Sequence, residues 1–261
     1  MRRLQYRYDT KLEFSDCVKN HTFTLRFLPY CDSVQKQIEE THWVEPEEYV
    51  CLDEDCFGNR TCSGSCSREH TYFRFGSEGV VEVDLSAKKW EPLNPLFRYP
   101  SKHTALKGEL LAFAQKMELT EGSAYERAWK IMEAVYGSMA YTPCSTNIQT
   151  QAYESFAQKK GVCQDYAHIM IALCRYAGIP ARYVAGLQLN GEVTHAWVEI
   201  YEDGYWIGFD PTHKVLVDER YIKLSVGRDY QDAALDKGVF IGAVEQQQQI
   251  HVWVADEAPN P

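Results

Sequence analysis

The chain has 261 residues, 45% of them apolar and 25% charged, enough to bury one large core or two modest ones. Its net charge of −10 is shared evenly: residues 1–95 hold 12 Lys+Arg against 17 Asp+Glu (−5), and the remaining 15 and 20 give another −5. With no basic stripe, no apolar run of the roughly 18 residues a membrane span needs and no apolar core behind Met1-Arg2-Arg3, we expect a cytoplasmic protein without nucleic-acid or membrane partners.

In residues 1–95 polar and apolar side chains alternate in short runs. Leu4-Gln5-Tyr6-Arg7-Tyr8, Thr22–Phe27, Thr71–Phe75 and Val80–Val83 all have the period of two that marks strands. No long helical pattern interrupts them, which predicts an antiparallel β-sandwich module over 1–95. Within it Cys51, Cys56, Cys62 and Cys66 cluster among Gly, Ser, Asp and Asn. Four thiolates can hold zinc tetrahedrally, but the pairs separated by two residues that mark zinc knuckles are absent. Free thiols in a hairpin rank first, ahead of labile disulfides and a metal site. The chain carries nine cysteines, an odd number, so at least one cannot pair within it.

Pro92, Pro95 and Pro100 mark a linker, and the second domain is expected over 96–261. Helical periodicity begins at 104–117, where Leu106, Leu110, Phe113 and Met117 share a face. Ser123 and Glu126 form a capping box for a second helix with Ala128, Met132, Val135 and Met139 on its buried stripe. A third helix is predicted from Cys163 to Ala177, closed by Gly178 and Pro180. Strands follow at about 182–189, 193–201 and 205–210, divided by Asn190-Gly191 and Asp203-Gly204. Gln246–Val254 alternates again and reads as a strand with a polar face.

The third helix opens on Gly161-Val162-Cys163-Gln164-Asp165. A cysteine at a helix N-terminus meets free N–H groups and the positive end of the dipole, which favour a thiolate and can stabilise an oxyanion. Such a nucleophile needs a base held by a third group. If Asp203 and Gly204 are the two loop residues of a hairpin, residue 202 faces 205 and Asp210 becomes the diagonal, same-face neighbour of His195. Cys163, His195 and Asp210 therefore form the candidate triad. Asp165 sits where the dipole favours a carboxylate, which suggests a structural role. His168, Cys174 and the loop residue His213 are weaker candidates for chemistry.

Gly161–His168, Gly178–Val184, His195-Ala196-Trp197-Val198-Glu199 and Asp210-Pro211-Thr212 together resemble the transglutaminase-like superfamily, in order and spacing, over about residues 100–215. Residues before 95, including Phe57-Gly58-Asn59, resemble the β-sandwich module that precedes such cores in bacterial members described as candidate cysteine proteases. The resemblance implies an α+β fold: the sandwich, then a papain-like core with the nucleophile helix packed on an antiparallel sheet. It implies acyl transfer on amide bonds of a protein or peptide, through a thioester on Cys163, with His195 as base and then acid, Asp210 as its orienter, and no cofactor. Tyr141, in a Tyr141-Thr142-Pro143 segment that also matches, is a candidate oxyanion donor. Gln164 and Trp197 are candidate lining residues of the site. Cys144, where similar sequences carry a small residue, departs from the pattern. The alternative is a binding or scaffolding protein that has kept the fold without catalysis. Retention of all three triad residue types counts against it. The oligomeric state is left open.

Overall fold

The computed structural model describes residues 1–257. Five strands come first: β1 (Arg2–Leu25), β2 (Gln35–Glu45), β3 (Tyr49–Glu54), β4 (Arg60–Cys66) and β5 (His70–Val83). The alternation read in β1 is its burial pattern: Leu4, Tyr6, Tyr8, Thr10, Leu12 and Phe14 point inward. Residues 2–13 of β1 pair antiparallel with β5, the register breaks, and residues 21–25 pair with β4. The strand thus passes from one sheet to another. The two sheets face each other through aromatic rings, with Phe23 and Phe73 centred 4.8 Å apart. The β3–β4 hairpin turns on Gly58, whose φ of +79° suits glycine, while the Asp55 carboxylate accepts from the amides of Phe57 and Asn59.

The helical part contains α1 (Gly108–Lys116), α2 (Ala124–Ser138), β6 (Ala140–Tyr141), α3 (Ala152–Gln158), β7 (Lys160–Gly161) and α4 (Cys163–Tyr176). α1 begins later than its periodicity predicts. Thr104 is held in a turn, its hydroxyl accepting from Ser101 N and from Arg175, and Gly108 enters the helix at φ +52°. α2 has the predicted capping box: Ser123 Oγ accepts from Glu126 N at 3.1 Å and Glu126 Oε2 from Ser123 N at 2.8 Å. α4 ends as predicted on Gly178 at φ +75°, with Ile179 N donating to Cys174 O.

A second sheet follows, of β8 (Ala181–Gln188), β9 (His195–Glu202), β10 (Tyr205–Asp210), β11 (Val215–Leu216) and β12 (Tyr221–Gly227), in the order β11-β10-β9-β8-β12. Asp203 and Gly204, both at positive φ, make the tight turn, and Glu202 faces Tyr205, the predicted register. Asn190-Gly191 instead lies in a longer connection, because Leu189 and Asn190 donate their amides to Arg220 O and Val254 O. Ala196, Val198 and Ile200 of β9 share one core with α4, whereas Trp197 belongs to a second cluster with Val184, Tyr221 and Val226, covered by Tyr30 and Phe57 of the N-terminal module. Asn59 locks this contact. Its amide donates to Val226 O at 2.8 Å and accepts from Val226 N at 2.7 Å.

After α5 (Tyr230–Ala233) the chain returns to the first sheet pair: β13 (Asp236–Ile241) and β14 (Gln246–Asp256) both pair antiparallel with β1. The strand predicted near 246–254 therefore joins the N-terminal module. Among the described residues no helix is long and apolar enough to cross a membrane.

Candidate active site

Cys163 is the first residue of α4 and is partly accessible. Its own amide and that of Gln164 are among the first helical N–H groups, which have no acceptor within the helix and are free to serve an oxyanion. The approach of β7 to the helix is close. A Cβ on Gly161 would lie 2.6 Å from the Asp165 side chain, so glycine is required there. Asp165 Oδ2 accepts from Val162 N at 2.8 Å and from Thr146 Oγ1 at 2.6 Å, tying the turn before the cysteine to the 142–151 loop. Burial holds the Asp165 carboxyl above its ordinary range. Its role is structural, as its position predicts.

His195 opens β9 and Asp210 closes β10. Nε2 of the imidazole lies 2.7 Å from Asp210 Oδ2, and Cys163 lines one cleft with the same ring. Nε2 faces the carboxylate, so Nδ1 is the nitrogen left for the sulfur. Burial disfavours the imidazolium, but the bonds to Asp210 and Cys163 outweigh it and raise the pKa from 6.5 to about 9. Asp210 is fully buried. Burial alone would protonate it, yet donation from His195 and His213 holds its carboxyl well below the ordinary carboxylate range.

Two partners of Asp210 were not marked as such by sequence. Tyr221 donates to Oδ2 at 2.9 Å, its phenol kept protonated by burial and by the charge of Asp210. His213 Nδ1 lies 2.7 Å from the same oxygen. Only the proximity of His213 to Asp210 in sequence hinted at its place; Tyr221 stands on a strand eleven residues away, with no local signal. The metal-binding atoms of His195, Asp210 and His213 lie within 4.8 Å of one another, the one such group among the described residues. Both imidazoles already hydrogen-bond to Asp210, and an ion there would break the His195–Asp210 bond.

The other candidates separate. Gln164 lines the cleft with Cys163, Thr194, His195 and Tyr230. Tyr141, half exposed, lines a second lobe on the other side of His195 with Thr212 and His213. Burial and the nearby Cys163 hold its phenol above the ordinary value. Trp197 does not wall the cleft: it is 1% exposed and fills the core beneath His195, where strand alternation puts it opposite the α4 face. The minority reading of a four-cysteine metal site is corrected as well. Cys62 and Cys66 are buried on β4 while Cys51 and Cys56 are exposed, and the four do not gather into a metal-binding group. All nine cysteines are free. Cys174, three turns along α4 from Cys163, is buried and its thiol is pushed up to about 12. His168 accepts from Tyr230 N at 3.0 Å beneath the site.

The comparisons with known proteins agree with this architecture. Residues 111–211 match the transglutaminase-like superfamily core, and residues 4–82 match the bacterial transglutaminase-like N-terminal region. The chain belongs to the transglutaminase-like superfamily, with the bacterial N-terminal region in front of its core. The crystal structure of a candidate cysteine protease from Cytophaga hutchinsonii is similar over 99% of this chain and 92% of that one, with TM-score 0.82 and 26% identity. An uncharacterized protein of Mycobacterium leprae is 37% identical over 113 residues, 39% of this chain and 40% of its own length. A protein-glutamine gamma-glutamyltransferase of Pseudomonas aeruginosa is 28% identical over 144 residues, 47% of this chain and 21% of its own length. The chain thus spans less than half the length of these curated relatives.

Proposed function

We propose that the protein is a cysteine-nucleophile enzyme that hydrolyses or exchanges amide bonds of a protein or peptide. The observation that carries this reading is the chain of contacts from buried Asp210 through His195 to Cys163 at a helix start. Cys163 Sγ attacks the carbonyl carbon, and the amides at the start of α4 receive the oxyanion. The C–N bond then breaks, and the imidazolium of His195 gives its proton to the departing nitrogen. A thioester remains. Water or an amine attacks it, His195 takes a proton from that nucleophile, and an acid or a new amide leaves with the thiolate restored. Tyr141, on the lobe beside His195, is the side-chain candidate for a second oxyanion donor.

The test is site-mapped alkylation with limiting iodoacetamide across roughly pH 5–9. Selective labelling of Cys163 below about pH 7, lost in His195→Ala, is the expected result. Indiscriminate or slow labelling would instead favour a scaffold that has kept the fold.

A further inference from the structure

The catalytic cleft does not end in the core domain. It measures about 300 Å³, and Ile148, Tyr230, Asp236 and Gln248, which line it, also line a second cavity of about 380 Å³. That cavity runs between the two sheets of the N-terminal module. Its walls include Leu12, Phe14, Phe23, Phe73 and Phe240, with His21 and Lys237 among them. Protein interiors are close-packed, and an apolar cavity of about 150 Å³ is already enough to hold a benzene ring. The space between the sheets therefore has room for a large apolar side chain, reached from the cleft.

The junction carries a charge. Asp236 lines both spaces, and its Oδ2 accepts from Gln248 Nε2 at 3.2 Å. Among the described residues it forms no ion pair, unlike the buried Glu199, which meets Arg182 and Lys223. Burial pushes its carboxyl above the ordinary range. A half-buried carboxylate without an ion-pair partner offers a place for a ligand's cation, which would gain a charge-assisted hydrogen bond there. In a peptide one group puts an ammonium next to a side chain and one carbon away from an amide carbonyl: the free N-terminal residue.

We infer that the acyl donor is a peptide bound by its N-terminal residue, its α-ammonium at Asp236 and its apolar side chain in the cavity between the sheets. This rests on the proposed chemistry at Cys163. It places the first peptide carbonyl at the sulfur and sends the leaving amine toward the lobe of Tyr141 and His213. The first residue then becomes the thioester, and water or an amine releases it as the free amino acid or its amide.

The test is calorimetric binding to the intact chain carrying Cys163→Ala, which separates recognition from turnover. L-phenylalaninamide is expected to bind at least about tenfold tighter than N-acetyl-L-phenylalaninamide or L-alaninamide. Asp236→Asn, added to that variant, should abolish the preference for the free amine while the circular dichroism spectrum stays unchanged. Equal binding of the free and acetylated amides overturns the inference whatever the variant does. So does absence of binding by L-phenylalaninamide up to about 10 mM. Selective binding with an unreactive Cys163 would leave the recognition standing and sink the chemistry. A reactive Cys163 with no selectivity would do the reverse.

Discussion

Asp210 receives the imidazole of His195 at 2.7 Å although the ladder pairing of their two strands stops one residue short of Asp210, at Phe209 and Val198. The contact is made by side chains alone, and replacing the carboxylate alters it without touching the ladder. Asp210→Asn should lower kcat by about 10³–10⁴ on any substrate identified, by favouring the tautomer whose proton sits on the nitrogen facing Cys163. A steady-state comparison checks it, and a loss below tenfold would remove Asp210 from the triad.

The pH dependence has a definite sign. The pKa of His195 is raised from 6.5 to about 9, so the imidazolium persists through neutral pH and is lost as pH rises through about 9. The kcat/KM profile should fall on an alkaline limb near that value, and Asp210→Asn should move the limb lower. The associated stability is fully present below about 6.5 and lost through about 9, which denaturant titrations at several pH values can read.

Two imidazoles share one carboxylate oxygen, so the base must be assigned by experiment. His195 lines the cleft that holds Cys163, whereas His213 lines the lobe on its other side. His195→Ala should eliminate turnover, whereas His213→Ala, at a half-exposed position, should cost about tenfold or less by removing one donor from Asp210. The reverse ranking would reassign the base.

Asn59 joins the N-terminal hairpin to β12 through both groups of its amide. Asn59→Ala leaves the N–H and C=O of Val226 without those partners in a buried setting. The expected loss is about 2–4 kcal/mol in chemical denaturation. A change under about 0.5 kcal/mol would show that the contact is incidental.

What sequence could show here was local or short-range. The Asp203-Gly204 turn fixed a register, and that register brought Asp210 near His195. The Ser123 box and the Gly178 stop likewise depend on neighbours a few residues away. The rest depends on distant packing. Tyr221 meets Asp210 from β12, the edge strand beyond β8, and β13 joins β1 through pairs such as Leu25 with Asp236. Trp197 shows the limit of alternation: period two put it on the face of His195, but the N-terminal module covers that face. The 104–117 window overran α1 because apolar spacing cannot register a threonine hydroxyl already engaged by Arg175.

The pairing of Leu4 with Asp256 and of Phe14 with Gln246 also governs when the molecule can be finished. β1 is made well before β14, and its sheet waits for that strand. Asp236, Gln248 and Ile250, which shape the cleft around Cys163, belong to β13 and β14. A nascent chain therefore carries its thiol well before it carries the walls around it, and the cleft takes shape only once β13 and β14 have been made.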